Sequence, residues 1–206
     1  ITATAQSVGC LVIWDLAHSA GTIDMDLEAS QVDFAVGCTY KFLNGGPGAP
    51  GFLYVASHHH EVQNPLPGWM GHARLFDFEA EYEAAPGIKR FLTGTQSVLA
   101  LSAVNASLSV FEGLAMQDVR ARSLAITGHF IALWEQSSVL QSHAALVTPI
   151  DDAQRGSQVS LALESAFPVS QALIADGVIV DFREPNIVRF GFSPLYNTLS
   201  DADQAI

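Results

Sequence analysis

Leu11-Val12-Ile13-Trp14-Asp15 and Phe34-Ala35-Val36-Gly37-Cys38-Thr39-Tyr40-Lys41 decide the fold. Each opens as an unbroken apolar run and closes on polar groups, the pattern of a strand buried on both faces. Between them, Ser19 to Val32 is long enough for a crossover, and Asp24 and Asp26 are placed to cap a short helix within it. Strand, crossover and strand of this length predict a parallel pair. Asp15 and Lys41 then both fall at carboxyl ends, on the edge where open α/β sheets bind ligands.

Working outward, Asn44-Gly45-Gly46-Pro47-Gly48-Ala49-Pro50-Gly51 is dense in turn formers and runs straight into Phe52-Leu53-Tyr54-Val55. So short a link cannot hold a crossover helix, so this third strand is expected to run antiparallel to the second. Residues 56–95 read as irregular. Helical spacing of Leu, Ala and Val runs from Ser97 to about Leu114, with Gly113 as a stop, and again from Met116 to Gln136. Beyond Val139, the runs 159–163, 178–182 and 187–192 predict three strands, with a helix between the first two. The expected class is α/β: a mostly parallel sheet with at least one reversed strand, and a small C-terminal α+β domain. The expected divisions are 1–96, connecting helices over 97–137, and 138–206.

Composition narrows the function. The 206 residues are 49% hydrophobic and only 15% charged, which excludes a disordered tail or a coiled coil. Nine basic against 21 acidic residues give a net charge of −12, a surface that repels phosphate backbones and anionic membranes, so neither is expected as a partner. No apolar stretch reaches the ~18–20 residues of a membrane span. Cys10 and Cys38 form no CxxC, and a reducing, cytoplasmic setting is expected, with Cys38 as a small buried residue. The chain opens at Ile1 inside a hydrophobic run and stops after Ser200-Asp201-Ala202-Asp203, a helix start, so a longer parent protein is expected.

A lysine and an aspartate on neighbouring strand ends have a specific chemical use. Pyridoxal phosphate needs a lysine to hold its aldehyde and a carboxylate to keep its pyridine nitrogen protonated, so that the ring acts as an electron sink. The only lysines are Lys41 and Lys89. From the residues alone the pairing stays open: Asp15 serves equally as a strand-end cap, and Lys41 as a solvated strand end.

The local sequences go further. Trp14-Asp15-Leu16-Ala17-His18-Ser19-Ala20-Gly21 resembles the pyridine-binding motif of fold-type I pyridoxal-phosphate enzymes of the aminotransferase class V kind. Within that class, Asp33 through Gly48 around Lys41 is similar to the kynureninase family. So are Pro65-Leu66-Pro67-Gly68-Trp69-Met70-Gly71-His72, Phe91-Leu92-Thr93-Gly94-Thr95-Gln96, Pro185-Asn186-Ile187-Val188-Arg189 and Pro194-Leu195-Tyr196-Asn197. These stretches cover nearly the whole chain, which resembles the C-terminal half of that family.

The resemblance implies a partial cofactor-binding large domain over 1–96, a truncated small domain over 138–206, and pyridoxal 5'-phosphate as cofactor. It makes Lys41 the Schiff-base lysine and proton shuttle, Asp15 the partner of the pyridine nitrogen, and His18 its neighbour on the cofactor. Tyr40 would reach the phosphate and act as an acid. Trp69 and Thr95 would complete the phosphate site, from the neighbouring subunit of a homodimer. Arg189 would grip the substrate carboxylate through its bidentate fork, with His72 lining the pocket. The implied reaction is hydrolysis of L-kynurenine, or its 3-hydroxy form, to an anthranilate and L-alanine, a step of tryptophan catabolism and NAD biosynthesis.

Several features depart from that pattern or compete with it. Ser97 stands where the family usually has proline, and no glycine-rich phosphate loop precedes Asp15, so the 206 residues alone are expected to be inactive. A cysteine desulfurase of the same fold is the alternative, although such enzymes generally show glutamine at the position of His18 and histidine directly before the lysine, where Tyr40 stands. A non-catalytic fragment is the third reading. Arg189 has Asp181 and Glu184 as competing partners. The acidic run Asp77, Glu79, Glu81 and Glu83 reads as a solvated face. No metal site is expected at His58-His59-His60, because neighbours in sequence do not all face one ion from a strand or helix.

Overall fold

A computed structural model describes residues 1–206. The chain divides into two compact units, one of residues 1–20 and 25–112, the other of 21–24 and 113–206.

In the first unit, a one-turn helix α1 (Thr2–Gln6) leads to strands β1 (Ile13–Asp15), β2 (Phe34–Cys38) and β3 (Gly51–Val55), and the unit closes with helix α2 (Val98–Leu108). The sheet order is β1-β2-β3, with β1 parallel and β3 antiparallel to β2. This is the expected arrangement, and its cause is connection length: the link 39–50 is a turn-rich loop, while 16–33 crosses over.

Two local expectations need correction. The crossover contains no helix. It is a series of turns, with Asp26 Oδ1 accepting the Ala29 N–H at 2.8 Å around a single helical turn. Asp26 caps this turn as an N-cap would, and Gln31, with φ +51°, ends it after one repeat. Nor are β1 and β2 buried on both faces: Ile13 is 68% and Val36 40% exposed. One face of the sheet, carrying Trp14, Ala35, Phe52 and Tyr54, packs against Leu16, Met25, Leu27 and Val32 from the crossover. The opposite face carries Ile13, Val36 and Leu53, all exposed.

Loops and 3-10 turns at Ser57–His59, Trp69–Gly71 and Gly87–Phe91 fill the irregular stretch. Helix α2 starts on Ser97, whose side chain accepts the Ala100 N–H at 3.4 Å, so the serine at this departure from the family pattern is an N-cap. A 3-10 turn at Ser109–Phe111 follows, and Gly113, with φ +79°, ends the run.

The second unit contains helices α3 (Met116–Gln136) and α4 (Ser138–His143), strands β4 (Ala145–Leu146) and β5 (Gln158–Ala162), helix α5 (Ala166–Ala175), strands β6 (Asp181–Arg183) and β7 (Ile187–Gly191), and helix α6 (Leu199–Gln204). Its antiparallel sheet has the order β4-β5-β7-β6. The strand expected over 178–182 is shorter and later, because β6 is an edge strand with only three residues facing β7. Phe130 of α3 is fully buried, its ring 4.7 Å from Phe190 and 5.6 Å from Phe192. A buried polar chain runs beside this core: Arg155 Nε donates to Thr127 Oγ1 at 3.1 Å, and Ser123 donates to Ser157 at 2.9 Å. Asp24 belongs here too, accepting from Gln117 Nε2 at 2.5 Å. No single helix is long and apolar enough to cross a membrane.

Candidate active site

The parallel pairing of β1 and β2 brings their carboxyl ends out on one edge of the sheet. Asp15 is the last residue of β1, and Lys41 follows the end of β2 by three residues. Asp15 is exposed and its Oδ1 accepts the Ala17 N–H at 2.8 Å, which turns the chain sharply. That turn carries His18 back toward β2. Lys41 Nζ stands 3.1 Å from His18 Nε2, with Nζ donating to the ring lone pair. The thiol of Cys38, half-buried where full burial was expected, points at the Ala17 carbonyl at 3.6 Å and ties the same turn to β2. Lys41 Nζ also sits 5.5 Å from the centre of the exposed Tyr40 ring. Lys41, His18, Tyr40 and Asp15 therefore share one edge.

The loop after Lys41 is built for close approach. A Cβ on Gly45 would meet the Thr39 carbonyl oxygen at 2.9 Å, and Gly46 and Gly48 have φ of +77° and +84°, conformations that favour glycine. Buried Thr39 closes the loop, donating its hydroxyl to the Pro50 carbonyl at 2.5 Å.

Trp69 and Thr95 lie on two segments that pack directly on each other. A Cβ on Gly68 would lie 2.0 Å from the Thr93 carbonyl oxygen, and one on Gly71 would lie 2.5 Å from that of Leu92. Only glycine allows this contact. Arg90, which the sequence reading passed over, is buried beneath the two segments: Nε donates to the Ala85 carbonyl at 3.2 Å and Nη2 to Glu61 at 3.0 Å. Tyr82 adds a hydrogen bond to the Gly71 carbonyl at 2.8 Å. Trp69 itself is 49% exposed and meets the exposed Phe76 ring edge-on at 6.4 Å. Thr95 is exposed just before α2.

His72 has both ring nitrogens engaged. Nδ1 accepts the Arg74 N–H at 2.8 Å, so the proton lies on Nε2, which donates to the Glu81 carbonyl at 3.2 Å. The ring thus holds its own loop. The acidic run is exposed, as a solvated face should be, and Arg74 pairs on it with Asp77, Glu79 and Glu83. The hydrogen bond and charge of Glu79 raise the Arg74 pKa, and Arg74 in turn lowers that of Glu79.

In the second unit, Arg189 is central on β7, and its guanidinium pairs with Asp181 directly across on β6. Asp181 also takes Arg183 at 2.8 Å. Of the two competing partners, Asp181 is the one Arg189 engages.

Of the three consecutive histidines, two share a partner and the third turns away, so they do not all face one point. His58 and His59 both turn their Nε2 atoms to buried Asp33, at 3.7 and 2.9 Å, while His60 Nε2 bonds the Val55 carbonyl at 3.0 Å. The reason is tertiary: Asp33 lies just before β2 and the turn at 57–59 just after β3, and antiparallel pairing of these strands brings the two together.

Comparison with known proteins bears on this geometry. The kynureninase C-terminal domain profile matches residues 119–206. Those residues belong to the kynureninase family. Over its whole length the chain is 49% identical to a kynureninase of Deinococcus radiodurans and 47% identical to one of Burkholderia mallei, in each case covering 50% of the relative. The chain thus spans about half the length of the curated kynureninases it matches and corresponds to their C-terminal half. Among solved structures, it superposes on an apo cysteine desulfurase of Thermococcus onnurineus with a TM-score of 0.78 at 19% identity, covering 97% of this chain and 51% of that one. A cystine C–S lyase variant with glycine linked covalently to its PLP cofactor gives 0.73 at 16% identity, covering 90% and 47%. At such identities these likenesses establish the fold, that of fold-type I PLP enzymes, and the desulfurases stand as relatives in fold.

Proposed function

We propose that this chain forms the C-terminal half of a pyridoxal-phosphate-dependent hydrolase that cleaves L-kynurenine or 3-hydroxykynurenine to an anthranilate and L-alanine. The observation that carries the reading is the Lys41–His18 contact of 3.1 Å on the sheet edge that also bears Asp15. An amine with a neighbouring ring nitrogen, beside an exposed carboxylate and a glycine-rich loop, is the donor set that pyridoxal phosphate requires. The residues present fit it.

When bound, the cofactor supplies an electron sink for charge developing on the substrate α-carbon. Asp15 would hold a proton on the pyridine nitrogen through a charge-assisted bond. Lys41 would hold the cofactor, and its Nζ is the base that would take the substrate α-proton and give it back. His18 orients that amine. The Tyr40 hydroxyl supplies a proton to the alanine-forming carbon. Arg189 receives the substrate carboxylate in place of Asp181, exchanging one carboxylate for another without leaving its guanidinium unpaired.

A shared dimer site is supported by the exposed apolar loop of Leu66, Trp69, Phe76 and Phe78, in which Trp69 and Thr95 would complete the partner's phosphate pocket. His72 acts in this reading by fixing that loop, at the edge of the substrate pocket. The free cysteines Cys10 and Cys38 are in keeping with a cytoplasmic enzyme.

The test is anthranilate fluorescence from the whole protein carrying this chain, given L-kynurenine and pyridoxal phosphate, with Lys41→Ala alongside. Release that disappears in the variant supports the reading. A folded, yellow protein that releases no anthranilate overturns it.

A further inference from the structure

Asp33 is 3% exposed, a carboxylate held at the entrance to β2. Its Oδ2 accepts the Val12 N–H and Gln6 Nε2, each at 3.0 Å. Those two bonds fix the plane of the carboxylate and leave Oδ1 facing the turn at 57–59. His59 Nε2 reaches Oδ1 at 2.9 Å and His58 Nε2 at 3.7 Å, and the three atoms all lie within 4.8 Å of one another.

Two imidazoles and one carboxylate converging in this way are a metal-ligand set. With metal–ligand bonds of ~2.0–2.1 Å, tetrahedral ligands stand ~3.3–3.4 Å apart, and the two separations from Oδ1 fall on either side of that value. The nitrogen and oxygen donors suit Zn2+ above Mg2+ or Ca2+, which take oxygen. Outer contacts are in place as well. Gln6 and Val12 orient the carboxylate, and the His59 ring stacks on Phe34 at 4.9 Å and 15°, which sets its direction. Hydrogen bonds from His59, Gln6 and Val12 also hold the Asp33 carboxyl ionised, with its pKa lowered to about 2.

We propose that Asp33, His58 and His59 form a binding site for a divalent transition-metal ion, Zn2+ foremost, with a fourth position open beside His58. The His58 side chain is 56% exposed, so the ion enters from solvent. On binding, the His59 Nε2 proton now shared with Asp33 gives way to the metal, and the neutral ring carries its proton at Nδ1. The ion would pin the turn after β3 to the start of β2, and through Gln6 to α1. Lys41 lies beyond the opposite end of β2, so the site is separate from the edge proposed for catalysis.

The test uses the whole protein carrying this chain, free of any affinity tag and stripped with chelator. Calorimetric titration with Zn2+ and visible absorption with Co2+ are expected to show one ion per chain with a nitrogen–oxygen ligand spectrum. His58→Ala and His59→Gln are each expected to weaken binding by about 100-fold or more, since losing even an outer-shell partner costs roughly 10–100-fold. His58→Ala removes an exposed ring and leaves the Asp33 network intact, so it reports binding without a folding defect. His60→Ala, whose ring bonds the backbone, leaves the affinity unchanged. One-to-one binding that survives both His58→Ala and His59→Gln, or no one-to-one binding in the parent, overturns the proposal.

Discussion

Lys41 Nζ and His18 Nε2 meet at 3.1 Å although 23 residues separate them, because the turn that Asp15 caps folds His18 back over the end of β2. In the proposed reaction Lys41 anchors the cofactor and shuttles a proton, tasks that a positioning group such as His18 cannot take over. Lys41→Ala in the whole protein is expected to lower kcat by roughly 10²–10⁴ or more and to abolish the borohydride-reducible adduct. His18→Ala is expected to keep that adduct with weaker cofactor retention. Absorption after borohydride reduction, together with stopped-flow turnover, separates the two effects.

Gly68 lies where a Cβ would strike the Thr93 carbonyl oxygen at 2.0 Å, whereas Gly94 faces open space. Gly68→Ala must push apart the segments that carry Trp69 and Thr95. The expected cost is about 1–3 kcal/mol, as for other overpacked sites. Gly94→Ala is expected to leave the unfolding midpoint unchanged. Denaturant curves of the two variants, compared side by side, check the pair.

Arg189 bears the substrate-carboxylate role in the proposed reaction while its guanidinium engages Asp181. Arg189→Lys keeps the charge and loses the planar fork. One charged hydrogen bond is worth about 1.5–3 kcal/mol, so a loss of roughly 10–150-fold in kcat/KM is expected. Steady-state kinetics should place most of that loss in KM, the mark of a binding contact.

Phe130 fills the centre of the second unit between Phe190 and Phe192. Phe130→Ala is expected to cost about 3–5 kcal/mol and Phe130→Leu much less, because the cavity term dominates. Thermal unfolding of both variants measures the difference.

Asp201 and Thr198 form a reciprocal cap at the start of α6. Backbone and hydroxyl hydrogen bonds from Thr198 lower the Asp201 pKa below its ordinary value. The stabilisation is therefore complete above the ordinary carboxylate range and is lost as pH falls through the depressed folded value. Asp201→Asn is expected to flatten this acid-side slope, and Thr198→Ala to cost about 1 kcal/mol at neutral pH. Unfolding midpoints followed from neutral pH into the acid range decide it.

Much of the first sheet was legible from the residues. Parallel β1 and β2 and antiparallel β3 follow from connection lengths, and the whole span of α3 follows from helical spacing, because both signals are local. Shared exit of Asp15 and Lys41 from one sheet edge followed as well. The crossover's lack of helix was not legible, since Asp26 offers the same cap whether one turn or several follow it. What only the tertiary structure decided is how distant groups meet: His58 and His59 on Asp33, Gly68 under Thr93, Arg90 beneath the loops, and Arg189 on Asp181 rather than Glu184. Each of these joins segments far apart in the chain or side chains facing across a sheet. Residue periodicity reports which face a side chain takes, and only the closed sheets and packed loops set what it finds there.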